Sequence, residues 1–250
     1  MNLQEFFAEH QKVAIAFSGG VDSAYLLYMA LQCGADVQAY YVKSQFQPQF
    51  EMDDAIRLAS QLKADMKVIS INVLTAADVI ENTENRCYHC KKMLFGEISK
   101  AAIADGYEVL LDGTNASDEE GDRPGMRALK ELSVYSPLRI CGLTKDMIRR
   151  LSKEAGLFTW DKPAYACLAT RIRTGEVLTA EKLLSTEKAE NYLFSLGFHD
   201  FRVRMFGSVA KLQLPENQLG KLLEYRNEIL KELKNYYTSV LLDLEVRNEQ

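Results

Sequence analysis

The chain has 250 residues, of which 47% are hydrophobic and 26% are charged, and its formal net charge is −5 at pH 7. This composition is typical of a globular protein with one large or two small domains and enough apolar residues for a core. The negative charge argues against a broad nucleic-acid-binding surface, because such surfaces neutralise phosphates with Lys and Arg. A local basic pocket stays compatible with it.

The N-terminal segment and the cysteine content indicate the cellular compartment in which we expect the protein. The first ten residues contain two acids and no basic segment ahead of an apolar stretch, so we expect no signal peptide. The chain also has no run of about 18 apolar residues for a membrane span, and we expect a cytoplasmic protein. Five cysteines without an export signal favour metal or catalytic roles over a disulfide framework.

An apolar run at residues 13–17 stops abruptly at Ser-Gly-Gly, and a helical pattern begins near residue 22. The run predicts a buried parallel strand, and the glycines fall in the strand-to-helix turn. Backbone amides at such a turn have no carbonyl partner, and the helix dipole adds positive charge, so the turn favours phosphate. No Lys follows the last glycine, as a Walker loop would require. An ordinary glycine-rich turn is the alternative.

Further strands are predicted at residues 37–42, 66–71 and 109–113, with a helix at 53–62. Strands that alternate with helices indicate an α/β fold with a doubly wound parallel sheet. Ligands of such sheets lie beyond the carboxyl ends of the strands. The residues expected there, as nucleotide ligands, are Ser18, Gly19, Gly20, Asp22, Ser23, Lys43, Ser44, Asp112, Gly113 and Thr114.

The C-terminal part has a different pattern. A helix at residues 147–157 ends at a glycine, and the chain is irregular from 160 to 175. Helices at 180–196 and 219–233, a hairpin formed by 201–205 and 210–214, and a last strand at 239–246 predict a smaller α+β domain. We therefore predict a first domain at 1–162, a cysteine-bearing linker at 163–178, and a substrate or oligomerisation domain at 179–250.

Cys87 and Cys90 are separated by two residues at the predicted start of a helix. Three interpretations compete: a thioredoxin-like redox pair, half of a structural zinc site completed by His89 and a distant thiol, or an iron–sulfur cluster with a third cysteine. Cys167 is the candidate third ligand, because polar and cationic neighbours would favour its thiolate. The two other cysteines, Cys33 and Cys141, are expected to be small buried hydrophobes.

Several charged residues have two interpretations each. Arg202 and Arg204 fall on one face of a strand, about 7 Å apart, and suit a phosphate or carboxylate, or else face solvent. Asp118, Glu119 and Arg123 follow the fourth strand and form either part of a site or an acidic surface loop. Lys91 either neutralises phosphate charge or is a solvated helix residue.

The sequence Ser-Gly-Gly-Val-Asp-Ser at residues 18–23 resembles the PP-loop of the ATP pyrophosphatase superfamily. Members of that superfamily cleave ATP between its α and β phosphates and adenylate a substrate oxygen. Further motifs follow in the order found in the LarE family, at residues 87–92, 111–115, 118–125, 166–171 and 201–204. The chain is similar to this family, the pyridinium-3,5-bisthiocarboxylate mononucleotide synthases, over nearly its whole length.

The resemblance implies an ATP- and Mg²⁺-dependent sulfurtransferase that adenylates a carboxylate of a pyridinium dicarboxylate mononucleotide and converts it to a thiocarboxylate. The product belongs to nickel-pincer nucleotide cofactor biosynthesis. One branch of the family sacrifices the sulfur of a single cysteine, whereas a second carries a [4Fe-4S] cluster on three. With Cys87, Cys90 and Cys167 all present, the chain resembles the second branch. Sulfide or another donor would supply sulfur, and a homo-oligomer is expected.

The resemblance also implies residue roles. Asp22 is a possible magnesium ligand, directly or through water, and Lys91 joins the three cysteines in the catalytic set. The implied substrate ligands are Asp118, Glu119, Arg123, Arg171, Arg202 and Arg204. Three other functions stay open: a PP-loop amidating synthetase, a cluster-dependent tRNA thiolation enzyme, and a non-catalytic ATP-binding metal sensor. The acidic chain has no basic tail suited to tRNA.

Overall fold

The computed structural model describes residues 1–118 and 124–247. The chain divides into two compact units. The first comprises Met1–Val73 and Asn85–Lys162, and the second comprises Leu74–Glu84 and Pro163–Gln250. Within the described residues, no helix is both long enough and apolar enough to cross a membrane.

The helices are named in chain order. They are α1 Leu3–Glu9, α2 Val21–Gln32, α3 Gln49–Leu62, α4 Ala77–Ile80, α5 Arg86–Ala104, α6 Pro124–Glu131, α7 Pro137–Ile140, α8 Lys145–Glu154, α9 Ala180–Ser195, α10 Leu219–Glu224 and α11 Arg226–Leu233. Of these, α4 and α9–α11 belong to the second unit.

A four-stranded parallel sheet forms the centre of the first unit. Its strands are β1 Lys12–Ala16, β2 Asp36–Lys43, β3 Met66–Ser70 and β4 Val109–Leu111, in the order β3-β2-β1-β4. Because the order reverses at β1, the sheet is doubly wound, as predicted. The carboxyl ends of β1 and β4 are adjacent, since Ile15 pairs with Leu111, so the segments that follow these two strands begin side by side.

Helices cover both faces of this sheet, which explains why the interior of β1 is apolar without alternation. Val13 and Ile15 pack on one face with side chains of α1, α2, α3 and α8. Ala14 packs on the other face with Ile98 and Ala102 of α5. The helix and strand periodicities therefore identify a buried sheet correctly.

Element boundaries differ from the prediction at two places that matter for the site. Helix α3 begins at Gln49, four residues earlier than expected, directly after Pro48 in extended conformation. Strand β4 ends at Leu111 instead of residue 113, and the amide of Asp112 donates to the carbonyl of Tyr135, 2.9 Å away. Residues 112–118 lie in the loop that follows β4.

The second unit contains a three-stranded sheet. Its strands are β5 Arg202–Phe206, β6 Val209–Gln213 and β7 Ser239–Leu242, in the order β5-β6-β7. Strands β5 and β6 form the predicted hairpin, and Gly207 in its turn has a φ of 57°. Strand β7 pairs with β6 in parallel and ends four residues before the predicted strand end. The predicted helix at 219–233 is divided into α10 and α11 at Tyr225.

Residues 74–84, predicted to lie in the first domain, belong to the second unit together with residues 163–178. Hydrogen bonds explain this grouping. The side-chain amide of Asn82 donates to the carbonyl of Arg173 (2.9 Å), and the backbone carbonyl of Asn82 accepts from the amide of Gly175 (2.9 Å). The amide of Leu178 donates to the carbonyl of Ile80 (2.8 Å). These partners are about 90 residues apart in sequence, so no local pattern indicates them.

Candidate nucleotide loop and cysteine segments

Residues 18–23 form a compact turn held by its own hydroxyl groups. The hydroxyl oxygens of Ser18 and Ser23 lie 3.1 Å apart, the amide of Gly20 donates to Ser18 Oγ (3.3 Å), and Ser23 Oγ donates to the carbonyl of Gly20 (3.2 Å). No side chain caps α2, and its first backbone bond runs from Ala24 to Gly20. The amides of the first helical residues therefore point toward an anion site without an intrahelical acceptor.

Two glycines allow this loop to pack closely against its neighbours. Gly19 has a φ of 72°, and a Cβ atom there would lie 3.0 Å from the Cα atom of Ala55 in α3. A Cβ atom at Gly113 would lie 2.9 Å from the backbone nitrogen of Ser23. Any side chain at either position would force the backbone apart, so these glycines set the width of the loop.

Asp22 lies at the second position of α2 and has two partners from distant segments. Its Oδ2 atom accepts from Lys145 Nζ (2.6 Å), and its Oδ1 atom accepts from Asn115 Nδ2 (3.2 Å). Sequence reasoning missed Lys145. Its only local signal is a cation at the first position of a helix, where acids are preferred.

The loop after β4 is ordered by internal hydrogen bonds. Asp112 is buried and accepts from the hydroxyls of Ser136 (2.6 Å) and Thr114. The backbone amide of Asn115 donates to the Asp118 carboxylate (2.8 Å). In this structure, Asp112 and Thr114 therefore hold the loop, and their contact with nucleotide stays a prediction. The predicted site residues Glu119 and Arg123 lie outside the described residues.

Lys43 and Ser44 follow β2 and shape the connection to α3. Lys43 Nζ donates to the carbonyl of Gln47 (2.5 Å), and Ser44 Oγ donates to Gln47 Oε1 (2.6 Å). Ser44 is buried. Both side chains are engaged by the protein, so their contact with nucleotide also stays a prediction.

Cys87 and Cys90 occupy the first turn and a half of α5. Their positions differ by three, so both lie on the same face of the helix. Cys87 is exposed and Cys90 is half-buried. Arg86, which is buried, donates from Nη2 to the Sγ atom of Cys87 (3.3 Å).

An aromatic and ionic cluster ties this end of α5 to α6. The ring of Tyr88 lies 4.3 Å from the guanidinium carbon of Arg127 and 5.3 Å from Lys92 Nζ. Tyr88 Oη (2.8 Å) and Lys92 Nζ (3.0 Å) both donate to Glu131, and the hydrogen bond from Lys92 lowers the pKa of that carboxylate. These contacts span both helices and hold the cysteine-bearing turn of α5 against α6.

Lys91 lies across α6 at its glycine. A Cβ atom at Gly125 would be 3.1 Å from Cδ and 3.2 Å from Cε of Lys91. The absence of a side chain at Gly125 therefore leaves room for the half-buried stem of Lys91. The side chain of Lys91 therefore packs against α6, unlike that of a fully solvated helix residue.

In the second unit, Cys167 is half-buried and immediately precedes a short 3₁₀ turn, Leu168–Arg171. Arg171 is buried, with its guanidinium against Glu190 at 2.9 and 3.1 Å. Its Nη1 atom also donates to the carbonyls of Ala166 (2.6 Å) and Cys167 (3.4 Å). The Arg171 side chain thus fixes the backbone around Cys167, and its contact with substrate stays a prediction.

Arg202 and Arg204 act on the same segment. Arg202 is buried and donates to the carbonyls of Phe201 (2.6 Å) and Ala164 (2.6 Å), while Arg204 donates to the carbonyl of Thr170 (2.8 Å). Burial, together with the charges of nearby arginines, lowers the pKa of Arg202 to about 10. A cleft of about 210 Å³, lined by residues 170–174 and 204–206, lies beside Arg204. Both guanidinium groups bond to backbone carbonyls, and Arg204 also borders this cleft.

Comparison with known proteins places these features in a family. Residues 1–121 match a family described as the PP-loop domain. The chain is 34% identical to the pyridinium-3,5-bisthiocarboxylic acid mononucleotide synthase of Lactiplantibacillus plantarum, over 94% of this chain and 86% of the relative. It is 35% identical to the uncharacterized protein slr1717 of Synechocystis sp., over 98% of this chain and 92% of the relative.

The chain belongs to the LarE family. This membership confirms the predicted class, an ATP-dependent sulfurtransferase with a PP-loop ATP-binding domain. The chain is also similar to a second member of the superfamily, the tRNA-specific 2-thiouridylase MnmA of Thermotoga sp. The two are 28% identical over 58% of this chain and 52% of the relative. The likeness to MnmA covers only part of either chain, whereas the likeness to the synthase is nearly complete.

Among the described residues, no group of three or more His, Cys, Asp or Glu side chains is arranged to hold a metal ion. The iron–sulfur and zinc interpretations both therefore stay proposals.

Proposed function

We propose that the protein adenylates a carboxylate of a pyridinium dicarboxylate mononucleotide and converts it to a thiocarboxylate. The observation that carries this proposal is the similarity to the mononucleotide synthase over most of both chains. The open amides at residues 21–23 support it, because they provide an anion site at the start of α2.

The chemistry proceeds in two balanced steps. A carboxylate oxygen of the substrate attacks the α-phosphorus of ATP, the bond to pyrophosphate breaks, and an acyl adenylate forms. A sulfur nucleophile then adds at the acyl carbon, and AMP leaves with the electron pair of the carbon–oxygen bond. No oxidant or reductant is needed. Residues 18–23 bind the polyphosphate and hold the α-phosphorus near the carboxylate.

Magnesium suits the carboxylate of Asp22. Mg²⁺ prefers hard oxygen ligands, and Asp22 is 21% exposed at the open start of α2. Asp22 would hold the ion directly or through water. Bound magnesium would supply charge neutralisation to the phosphates.

The thiols suit an iron–sulfur centre of the three-cysteine branch. Cys87 and Cys90 lie on one face of α5, a spacing that allows both sulfur atoms to bind one centre. Cys167 would provide the third thiolate, and the arginines around it hold the backbone carbonyls of its turn. A bound [4Fe-4S] cluster would accept sulfide from a donor and supply that sulfur atom as the nucleophile.

We propose different roles for the predicted substrate ligands of the second unit, one in ligand contact and two in positioning. Arg204 borders the cleft beside residues 170–174, so we propose that it contacts the phosphate or a carboxylate of the mononucleotide. Arg171 and Arg202 bind protein carbonyls and are proposed as positioning residues for the Cys167 segment.

One experiment tests the reaction and the sulfur source together. Protein purified without oxygen is analysed for iron, labile sulfide and zinc, then incubated with ATP, the dicarboxylate mononucleotide and sulfide. We expect AMP, pyrophosphate and a mass shift of one oxygen replaced by sulfur. The C87A and C167A variants should both lose cluster and turnover, while C33A, at the end of α2, should retain both.

Each other outcome has a defined meaning. ADP as the product contradicts the adenylation step. A protein that holds zinc without labile sulfide contradicts the cluster, and turnover retained by C87A but lost by C167A favours a sacrificed Cys167. Sulfur incorporated into unmodified tRNA in place of the mononucleotide would support the thiouridylase alternative.

A further inference from the structure

The Lys145 side chain is a basic group at the nucleotide loop that sequence reasoning did not identify. Its ammonium lies 2.6 Å from the Asp22 carboxylate, and the two side chains are 30% and 21% exposed. An ammonium has three N–H donors, and within the described part of the chain Asp22 accepts one of them. The group is therefore held at the loop but remains accessible to a ligand.

The backbone of Lys145 is fixed, although its side chain has a long flexible stem. The amide of Lys145 donates to Ser117 Oγ (2.9 Å), and the amide of Ala116 donates to the carbonyl of Leu143 (2.8 Å). Thr144 caps the start of α8. These bonds join α8 to the loop after β4, which itself packs against the nucleotide loop at Gly113. The ammonium can thus move by rotation of its stem alone.

Stability does not account for a lysine at this place. A positive charge in the first turn of a helix is opposed by the helix dipole, and a partly exposed ion pair contributes little to folding. Asp22, in turn, places a negative charge beside amides that are arranged for an anion. A triphosphate would be repelled by this carboxylate unless a cation compensates it.

We propose that Lys145 is a nucleotide-binding residue that neutralises Asp22 in the empty loop and pairs with the polyphosphate of ATP once a divalent cation occupies Asp22. The inference rests on the proposed magnesium role of Asp22, and not on the identity of the sulfur acceptor. Lys145 thereby keeps the loop uncharged when it is empty and adds a direct phosphate contact when it is filled.

Two binding measurements on the nucleotide-free full chain test this proposal. Calorimetry measures the affinity for a non-hydrolysable α,β-methylene ATP in the presence of Mg²⁺, and electron paramagnetic resonance measures the binding of Mn²⁺ alone. We expect K145M to weaken nucleotide binding by about tenfold, as loss of one charge-assisted hydrogen bond implies. The same variant should bind Mn²⁺ more tightly, because Asp22 no longer has a competing cation.

Matched variants separate this role from a structural one. K145R should restore most of the nucleotide affinity, and K145Q provides a second uncharged variant should K145M fold poorly. K67M breaks another 2.6 Å ion pair of the first unit, with Asp105 directly after α5, and should change neither affinity. Unchanged nucleotide affinity in folded K145M and K145Q, or equal weakening of both ligands, would overturn the proposal. Failure of sulfur transfer alone would leave these binding results intact.

Discussion

At the scale of single residues, three arginines of the second unit have protein partners that the sequence pattern did not predict. Arg171, Arg202 and Arg204 are spaced as if to bind an anionic substrate, yet all three donate to carbonyls between Ala164 and Thr170. Arg171 is possible in the interior only because Glu190 supplies a buried counter-charge. The cysteine-bearing segment is thus fixed by charge-assisted hydrogen bonds more than by regular structure.

Replacing Glu190 with Gln should therefore destabilise the second unit strongly. The change leaves the Arg171 guanidinium buried without a counter-charge, which costs about 3 kcal/mol, and it weakens the bond from the backbone amide of Val203 (2.9 Å). Urea denaturation followed by far-UV circular dichroism measures the loss. E224Q, at an exposed position of α10, should be nearly neutral. Equal stability of the two variants would contradict a structural role for the pair.

Sequence reasoning finds residues whose chemistry is local and misses those whose partners are distant. The loop at 18–23 was predictable because the strand, the glycines and the helix start are contiguous. Lys145 and Asp22 are 123 positions apart, and only the adjacency of β1 and β4 brings their segments together. The burial of Arg171 could not be predicted from the sequence either, because a charged residue in an irregular segment is ordinarily exposed.

At the scale of elements, the packing of α5 on α6 positions the residues around the cysteine pair. Tyr88 and Lys92 contact α6 through Arg127 and Glu131, and Lys91 crosses it at Gly125. The sequence predicted a helix start at the cysteines, but it gave no sign that a glycine 34 positions later makes room for Lys91. The two helices act as one support for this part of the first unit.

The substitution G125A should separate the role of Lys91 from stability. Alanine in place of glycine favours a helix by up to about 1 kcal/mol, but the new methyl group would lie 3.1 Å from Lys91 Cδ and displace that flexible stem. If Lys91 takes part in the reaction, turnover falls while the melting temperature holds or rises. G96A, in α5 with open space at its Cβ position, should raise stability without loss of turnover. Full turnover in G125A would argue against a role for Lys91.

At the scale of the whole molecule, the fold class is predictable and the composition of the units is not. Alternating strands and helices identified the doubly wound sheet, and the Gly207 turn identified the hairpin. The second unit, however, includes residues 74–84, which lie in sequence between the two segments of the first unit. A pattern read along the chain assigns such a segment to its sequence neighbours, because the hydrogen bonds that place it involve residues about 90 positions away.

The strength of this long-range attachment can be tested at Asn82. This residue has a φ of 52° and is buried, with its side-chain amide bonded to the carbonyl of Arg173. Asparagine tolerates that backbone conformation better than alanine does. N82A should therefore cost about 2 to 3 kcal/mol, from the left-handed conformation and the lost hydrogen bond together. N82G should cost less, because glycine removes the hydrogen bond without the backbone strain.

Amide hydrogen exchange gives the local measurement that this prediction needs. The amides of Gly175 and Leu178 donate to the carbonyls of Asn82 and Ile80, so their protection reports directly on the attachment of residues 74–84. In N82A both amides should exchange faster than in the parent chain, with N82G intermediate, while amides of β1 keep their protection because they lie in the sheet of the first unit. Unaltered exchange at Gly175 and Leu178 in N82A would mean that other contacts hold the segment. Faster exchange confined to these amides would instead show that one buried asparagine links a segment near residue 80 to the segment that carries Cys167.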